Sequence, residues 1–214
     1  MKTSLIVTFL ALITITAIAQ NKPDRVKNFR SLAAGHETLV LLPFQFEKKE
    51  FKTLPEGVTE EMINEAEKDK GLKFQNYLHE MLAKKSHKYD HNWISPTEVN
   101  KKLEENGMSV DQLKVEDVNK IAELFGADAV IYSIVETPKL VLPDEKGGEM
   151  DWEGDRVYGI SGNATYVNMS IHEAASSEPY WKWKIKFNGS FKRSELMIKI
   201  IEKNYIHDHF PYKY

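Results

Sequence analysis

The stretch Thr38 to Phe44, TLVLLPF, sets Leu39, Val40, Leu41 and Leu42 in direct succession before a proline. Side chains of a strand alternate between its two faces, so an unbroken apolar run marks a strand buried on both sides. TLVLLPF is therefore read as the central strand of a sheet with a layer on each face. Pro43 has no backbone donor and a fixed φ, which predicts that the chain leaves the sheet near Phe44. The connector Gln45 to Pro55, QFEKKEFKTLP, is too rich in Lys and Glu to be expected in the interior.

Downstream, Ala127 to Val135, ADAVIYSIV, repeats the near-continuous apolar reading and gives a second buried strand. The sequence between the two is largely helical. Val58, Met62, Ala66, Phe74, Leu78 and Leu82 make a stripe at helical spacing with Ile63, Tyr77 and Met81 beside it. Glu60, Glu61, Glu65, Glu67, Lys68 and Lys70 fill the opposite face. Gly71 falls inside this long helix and predicts a weak point or kink, because Gly costs about 1 kcal/mol against Ala in a helix interior. A short strand at Asn92 to Ile94 follows the basic stretch Lys84 to His91. Ser95-Pro96 then opens a helix with Ser at the cap and Pro at its first position, running through Val99 and Leu103 to Gly107. A third helix, Val115 to Phe125, ends at Gly126, the residue type suited to a left-handed C-terminal position. Upstream of the central strand, Val26, Phe29, Leu32 and Ala33 suggest a short helix that stops in the same way at Gly35.

Beyond Val135 the character of the sequence changes. Residues 136–158, from Glu136 to Tyr158, are rich in Gly, Pro and acid and are expected to form a long exposed loop. After it, Val167, Met169 and Ile171 alternate with Tyr166, Asn168 and Ser170, and Trp181, Trp183, Ile185 and Phe187 alternate with Lys182, Lys184, Lys186 and Asn188. Period two with one polar face is the pattern of antiparallel, half-exposed strands, and Ser176 to Pro179, SSEP, supplies the turn of a hairpin. A helix from Ser194 to Asn204 is followed by the tail Asp208 to Tyr214, DHFPYKY, whose aromatic content suggests docking against the domain rather than a free end. The expected architecture is α/β, a single domain over 20–214 with a mixed sheet of four to five strands flanked by helices and an antiparallel hairpin near the C-terminus.

Met1 to Ala19 combines Lys2, the apolar run Leu5 to Ile15 and the small-residue pattern Ala17-Ile18-Ala19, the features of a secretory signal peptide cleaved after Ala19. The apolar run is shorter than the roughly 20 residues that span a bilayer. No later run is long enough to do so, and no transmembrane segment is expected after cleavage. With 42% hydrophobic and 29% charged residues the chain of 214 residues has the composition of a globular protein. Its formal charge of -3 gives no electrostatic reason to expect nucleic acid. Cysteine is absent, which excludes disulfides, thiolate metal sites, cysteine nucleophiles and a lipidated cysteine. A periplasmic or secreted location is the expectation.

The strand ending in Leu42-Pro43-Phe44, the long helix after it, the segment Leu124-Phe125-Gly126-Ala127-Asp128-Ala129-Val130-Ile131-Tyr132 and the closing hairpin with Trp181 together resemble a family of envelope α/β domains. It is the family of the TolB amino-terminal domain and the curli secretion lipoprotein periplasmic domain, and it also resembles exported proteins of Bacteroidetes. The resemblance spans nearly all of the chain past the leader. It implies an envelope binding or assembly domain and supplies no catalytic residues.

Motifs for chemistry are mostly incomplete. His79-Glu80 and His172-Glu173 begin a zinc-protease pattern, but Ala83 and Ser176 stand where the second histidine is needed. Gly159-Ile160-Ser161-Gly162 is one residue short of a nucleophile elbow and precedes a half-exposed strand. His207-Asp208-His209, with His87 and His91, could offer ligands to a metal. Asp144, Glu145, Glu149, Asp151, Glu153 and Asp155 are oxygen ligands that calcium accepts, without the glycine position of a calcium loop. The structural readings, a solvated tail and a charged loop, are preferred, so no catalytic, cofactor or metal residue is assigned. Trp181 and Trp183 are read as core. The function expected is a non-catalytic envelope module that binds an envelope protein or self-associates, with an edge strand as its docking site. The alternatives are a hydrolase-type enzyme or a small-ligand carrier with its site near the loop of residues 136–158.

Overall fold

Leu39 to Leu42 are sealed from solvent because the strand they form has neighbours on both sides and packed layers above and below. The computed structural model describes residues 22–47, 54–84, 91–110, 113–114, 117–137, 140–141, 152–153, 164–176, 178–188, 199, 201 and 209–212. In chain order its elements are β1 (Asp24–Arg25), α1 (Phe29–Ala34), β2 (Thr38–Leu41), β3 (Gln45–Phe46), α2 (Glu60–Lys84), β4 (Asn92–Trp93), α3 (Pro96–Glu105), α4 (Val118–Phe125), β5 (Ala129–Glu136), β6 (Leu140–Val141), β7 (Trp152–Glu153), β8 (Ala164–Glu173) and β9 (Pro179–Asn188).

Seven strands form one mixed sheet in the order β1-β9-β8-β5-β2-β4, with β3 joined to β5 beyond the end of β2. The first part is parallel: β2 pairs with β4 and β5, and β3 with β5. The last part is antiparallel, β5 to β8, β8 to β9 and β9 to β1. This is the expected mixed α/β arrangement in one domain, including the closing hairpin. The count exceeds four to five because β1 and β3 are two-residue segments, too short to show a period. Under one face α1 and α2 pack Phe29, Ala66, Phe74, Leu78 and Leu82 against Leu39, Leu41, Ile131, Met169, Trp181 and Trp183. On the other face α3 and α4 bring Val99, Leu103, Ile121 and Phe125 onto Val40, Leu42, Val130 and Tyr132.

The chain does not leave the sheet at Phe44, contrary to the reading of Pro43. Leu42 N–H still donates to Ile131 O at 3.0 Å, and after a break at Pro43 and Phe44 the ladder resumes with Gln45 opposite Ile134 and Glu47 N–H donating to Val135 O at 3.1 Å. Gln45 is buried, its amide donating to Pro43 O at 3.0 Å, so the connector begins as core; residues 48–53 lie outside those described. At the break the backbone swings toward α2, where Phe44 N–H donates to Gly71 O at 3.2 Å. Only glycine permits this approach: a Cβ on Gly71 would lie 2.1 Å from Phe44 O. Gly71 is therefore a contact point and not a weak point, and α2 runs unbroken through it for 25 residues.

Local signals explain the other helix ends. Thr59 Oγ1 accepts from Met62 N–H at 3.2 Å to start α2, a cap with no capping-box glutamate. The buried stripe of α2 begins at Ile63; Met62, expected inside, is exposed. Ser95 Oγ accepts from Glu98 N–H at 3.2 Å and Pro96 takes the first position of α3. Gly126 ends α4 in the left-handed region at φ 58. Gly35, expected to do the same for α1, has φ -87 and needs no glycine. Of the acidic stretch after Glu136, Leu140–Val141 pairs antiparallel with Trp152–Glu153, so it is not loop throughout. The leader, the basic stretch before His91 and most of the final helix expected at 194–204 lie outside the described residues, although Ile201 packs into the core.

Candidate interaction surface

The hairpin of β8 and β9 buries one face and opens the other. Val167, Met169, Ile171, Trp181, Trp183, Ile185 and Phe187 point into the core, the two tryptophans with 1% and 4% of their surface exposed. Trp181 meets Trp183 edge-on at 5.8 Å and Phe210 at 5.9 Å, and its indole N–H donates to His209 O at 3.2 Å. They are core, as expected. On the opposite face the register sets Lys182 beside Ser170, Lys184 beside Asn168 and Lys186 beside Tyr166. Helices α3 and α4 cover the β2 and β5 side of this face, whereas the three lysines are exposed and Tyr166, Asn168 and Ser170 are half-buried.

The centre of this surface is organised by Glu136 at the end of β5. Its carboxylate accepts from Lys184 Nζ at 2.7 Å and from Asn168 Nδ2, and the same ammonium stands 4.6 Å from the centre of the Tyr166 ring. Lys184 is thus held flat against the sheet. Asp24 on β1 is opposite Lys182 in the strand register, with no ion pair within 4 Å. Lys182 and Lys186 flank the fixed pair as cations without an ion-pair partner among the described residues. Side chains two apart on a strand recur roughly every 6.6 Å, so the row is a ladder of regularly spaced charges along β9.

A second constellation lies at the N-terminal end of β2, half-buried at Asp128 and Glu173 and buried at His36, Tyr180 and Tyr212. Asp128 Oδ2 accepts the backbone N–H groups of Glu37 and Thr38 at 2.8 and 2.9 Å. These bonds, chiefly that from Thr38, hold its carboxyl below the usual carboxylate range against a smaller effect of burial. Behind it His36 Nδ1 contacts the Tyr212 hydroxyl at 2.9 Å, His36 Nε2 contacts Glu173 Oε1 at 3.4 Å, and Tyr180 O–H donates to Tyr212 Oη at 2.5 Å. Burial first, then the neighbouring Tyr180 and the carboxylates of Glu173 and Asp128, raise the Tyr212 hydroxyl well above its ordinary range. This network ties the C-terminal residues to the sheet. The docking of the tail was expected from its aromatic residues, and Phe210 and Tyr212 are buried; the polar partners were not, because they are scattered over the whole chain.

Of the residues weighed for metal binding, His209 stacks edge-on to Trp183 at 5.2 Å and His91 contacts His36 O through Nδ1 at 2.9 Å. They serve different neighbours. His87, His207, Asp208 and the acidic residues at 144, 145, 149, 151 and 155 lie outside the described residues; Glu153 falls on β7. Among the described residues no group of three or more His, Asp or Glu is placed to hold a metal ion. His172, from the second incomplete zinc pattern, is buried with Nε2 at 2.9 Å from Ser170 Oγ. Burial also pushes His79, from the first, below its ordinary value.

No protein family and no curated protein matches this chain. Several solved structures are similar to it. The LpoB C-terminal domain from Salmonella enterica aligns over 75% of this chain and 96% of its own at 13% identity and a TM-score of 0.39. Lipoprotein GNA1162 from Neisseria meningitidis aligns over 80% and 96% at 11% identity and a TM-score of 0.45. The PelC dodecamer from Paraburkholderia phytofirmans aligns over 83% and 86% at 10% identity and a TM-score of 0.39. Among the described residues no helix is long and apolar enough to cross a membrane.

Proposed function

We propose that this chain is a non-catalytic module of the cell envelope, exported by its Met1 to Ala19 leader, that binds a protein partner or a second copy of itself through the open face of the β8 and β9 hairpin. One observation carries the reading. A sheet that is covered on both faces at β2 and β5 carries, on β8 and β9, an exposed face of Lys182, Lys184, Lys186, Tyr166 and Asn168 with no described helix upon it. The central lysine is preset by Glu136, which lowers the entropy lost when a partner engages it. His36, Tyr180 and Tyr212 are buried and, with half-buried Glu173, hydrogen-bonded to one another, so they support packing.

The test compares the wild-type chain with a Lys182→Glu, Lys186→Glu double variant, both expressed with the native leader and crosslinked mildly in the envelope. The wild type is expected to give a discrete crosslinked species that the variant loses while its thermal midpoint is unchanged, since both side chains are exposed. A wild-type protein recovered only as an uncrosslinked monomer, or a species that survives the charge reversal, would rule out this face.

A further inference from the structure

A cleft of about 420 Å³ opens between α2 and the end of α3. Its size falls within the range of small-molecule sites, roughly 300 to 1,000 Å³. Leu72, Met108 and Val110 supply apolar lining, and Lys68 on one wall and Glu104 on the other supply opposite charges. Those two charges do not satisfy each other, nor any other described group, although α3 pairs its outer charges by the ordinary one-turn rule: Lys102 with Glu98 at 3.8 Å and Lys101 with Glu105 at 3.7 Å.

The floor carries a third mark. Asn100 Nδ2 donates to Gln75 Oε1 at 3.0 Å, and Gln75 Nε2 donates to Leu41 O at 2.7 Å, a chain of amides fixed to the central strand. Its outer member, Asn100, also lines the cleft and has a buried Oδ1 without a hydrogen-bond partner. A buried acceptor left in this state calls for a donor.

From this geometry we infer that the cleft binds a small zwitterion with an apolar body, the chemistry shared by free amino acids and short peptides. The ligand ammonium faces Glu104, its carboxylate faces Lys68, and its side chain covers Leu72, Met108 and Val110. No bond is made or broken.

Titration calorimetry of the purified protein with leucine and with the dipeptide Ala-Leu, each free, N-acetylated and C-amidated, tests this. At least one free form is expected to bind, with acetylation or amidation each weakening it about fivefold, the scale of an exposed charge pair. In Glu104→Gln acetylation should have no further effect, and in Lys68→Met amidation should have none. Lys101→Gln, on the outer face, should leave affinity unchanged. Preference for leucine or for Ala-Leu tells a free amino acid from peptide ends. Absence of binding by both free forms, or blocked forms that bind as well as free ones, would overturn the inference, and unchanged thermal midpoints exclude misfolding of the exposed-residue variants.

Discussion

Gly71 shows how the meaning of a residue depends on what faces it. By helix propensity alone Gly71→Ala should stabilise α2 by about 1 kcal/mol. With Phe44 O where the methyl group would go, the sign reverses, and the substitution should cost about 3 kcal/mol through a backbone shift that also strains the Phe44 N–H bond. Chemical denaturation of the two proteins decides between the signs. Asp128 and Tyr212 predict the pH limits at the same scale. The Asp128 carboxyl is held low by its two backbone donors, so the stability it gives is present above the unfolded value near 4 and fades as pH falls. Tyr212 is held neutral, so its share is complete below the unfolded value near 10 and is lost as pH rises past it. Asp128→Asn should flatten the acid limb of a stability-against-pH curve, and Tyr212→Phe the alkaline limb, even where each lowers the plateau.

At the scale of elements, local chemistry reads well wherever the signal is contiguous. Ser95-Pro96 places the start of α3, Gly126 the end of α4, and the alternation from Val167 to Phe187 places the hairpin and its buried face. Removing the cap with Ser95→Ala should cost about 1 kcal/mol, measured as a lower denaturation midpoint. β1 and β3 were illegible because two residues define no period and their pairing is decided by the partner strand. The lysine row was legible as a polar face. That no described helix covers this face while the same side of β5 is roofed by α3 and α4 follows from where those helices pack, which no window of sequence contains. The cleft charges Lys68 and Glu104 look like ordinary members of solvated helix faces until α2 and α3 are set side by side.

For the whole molecule, the unbroken apolar runs of β2 and β5 made the sheet and its two layers readable, while the polar network at its end was not. Glu173, His36, Tyr212 and Tyr180 come from four separate segments, and only the finished topology brings them together. That network has a temporal consequence. The contact of His36 with Tyr212 spans 176 positions, and β1, at Asp24–Arg25, pairs with β9, the last strand described. On the proposed export from the N-terminus, β1 would stay unpaired until β9 has emerged. Long-range closure of this kind is slow and leaves intermediates exposed meanwhile. A chain truncated after His209 should reach the far side of the membrane, fail to close, and be degraded there faster than the full-length protein in a pulse-chase experiment.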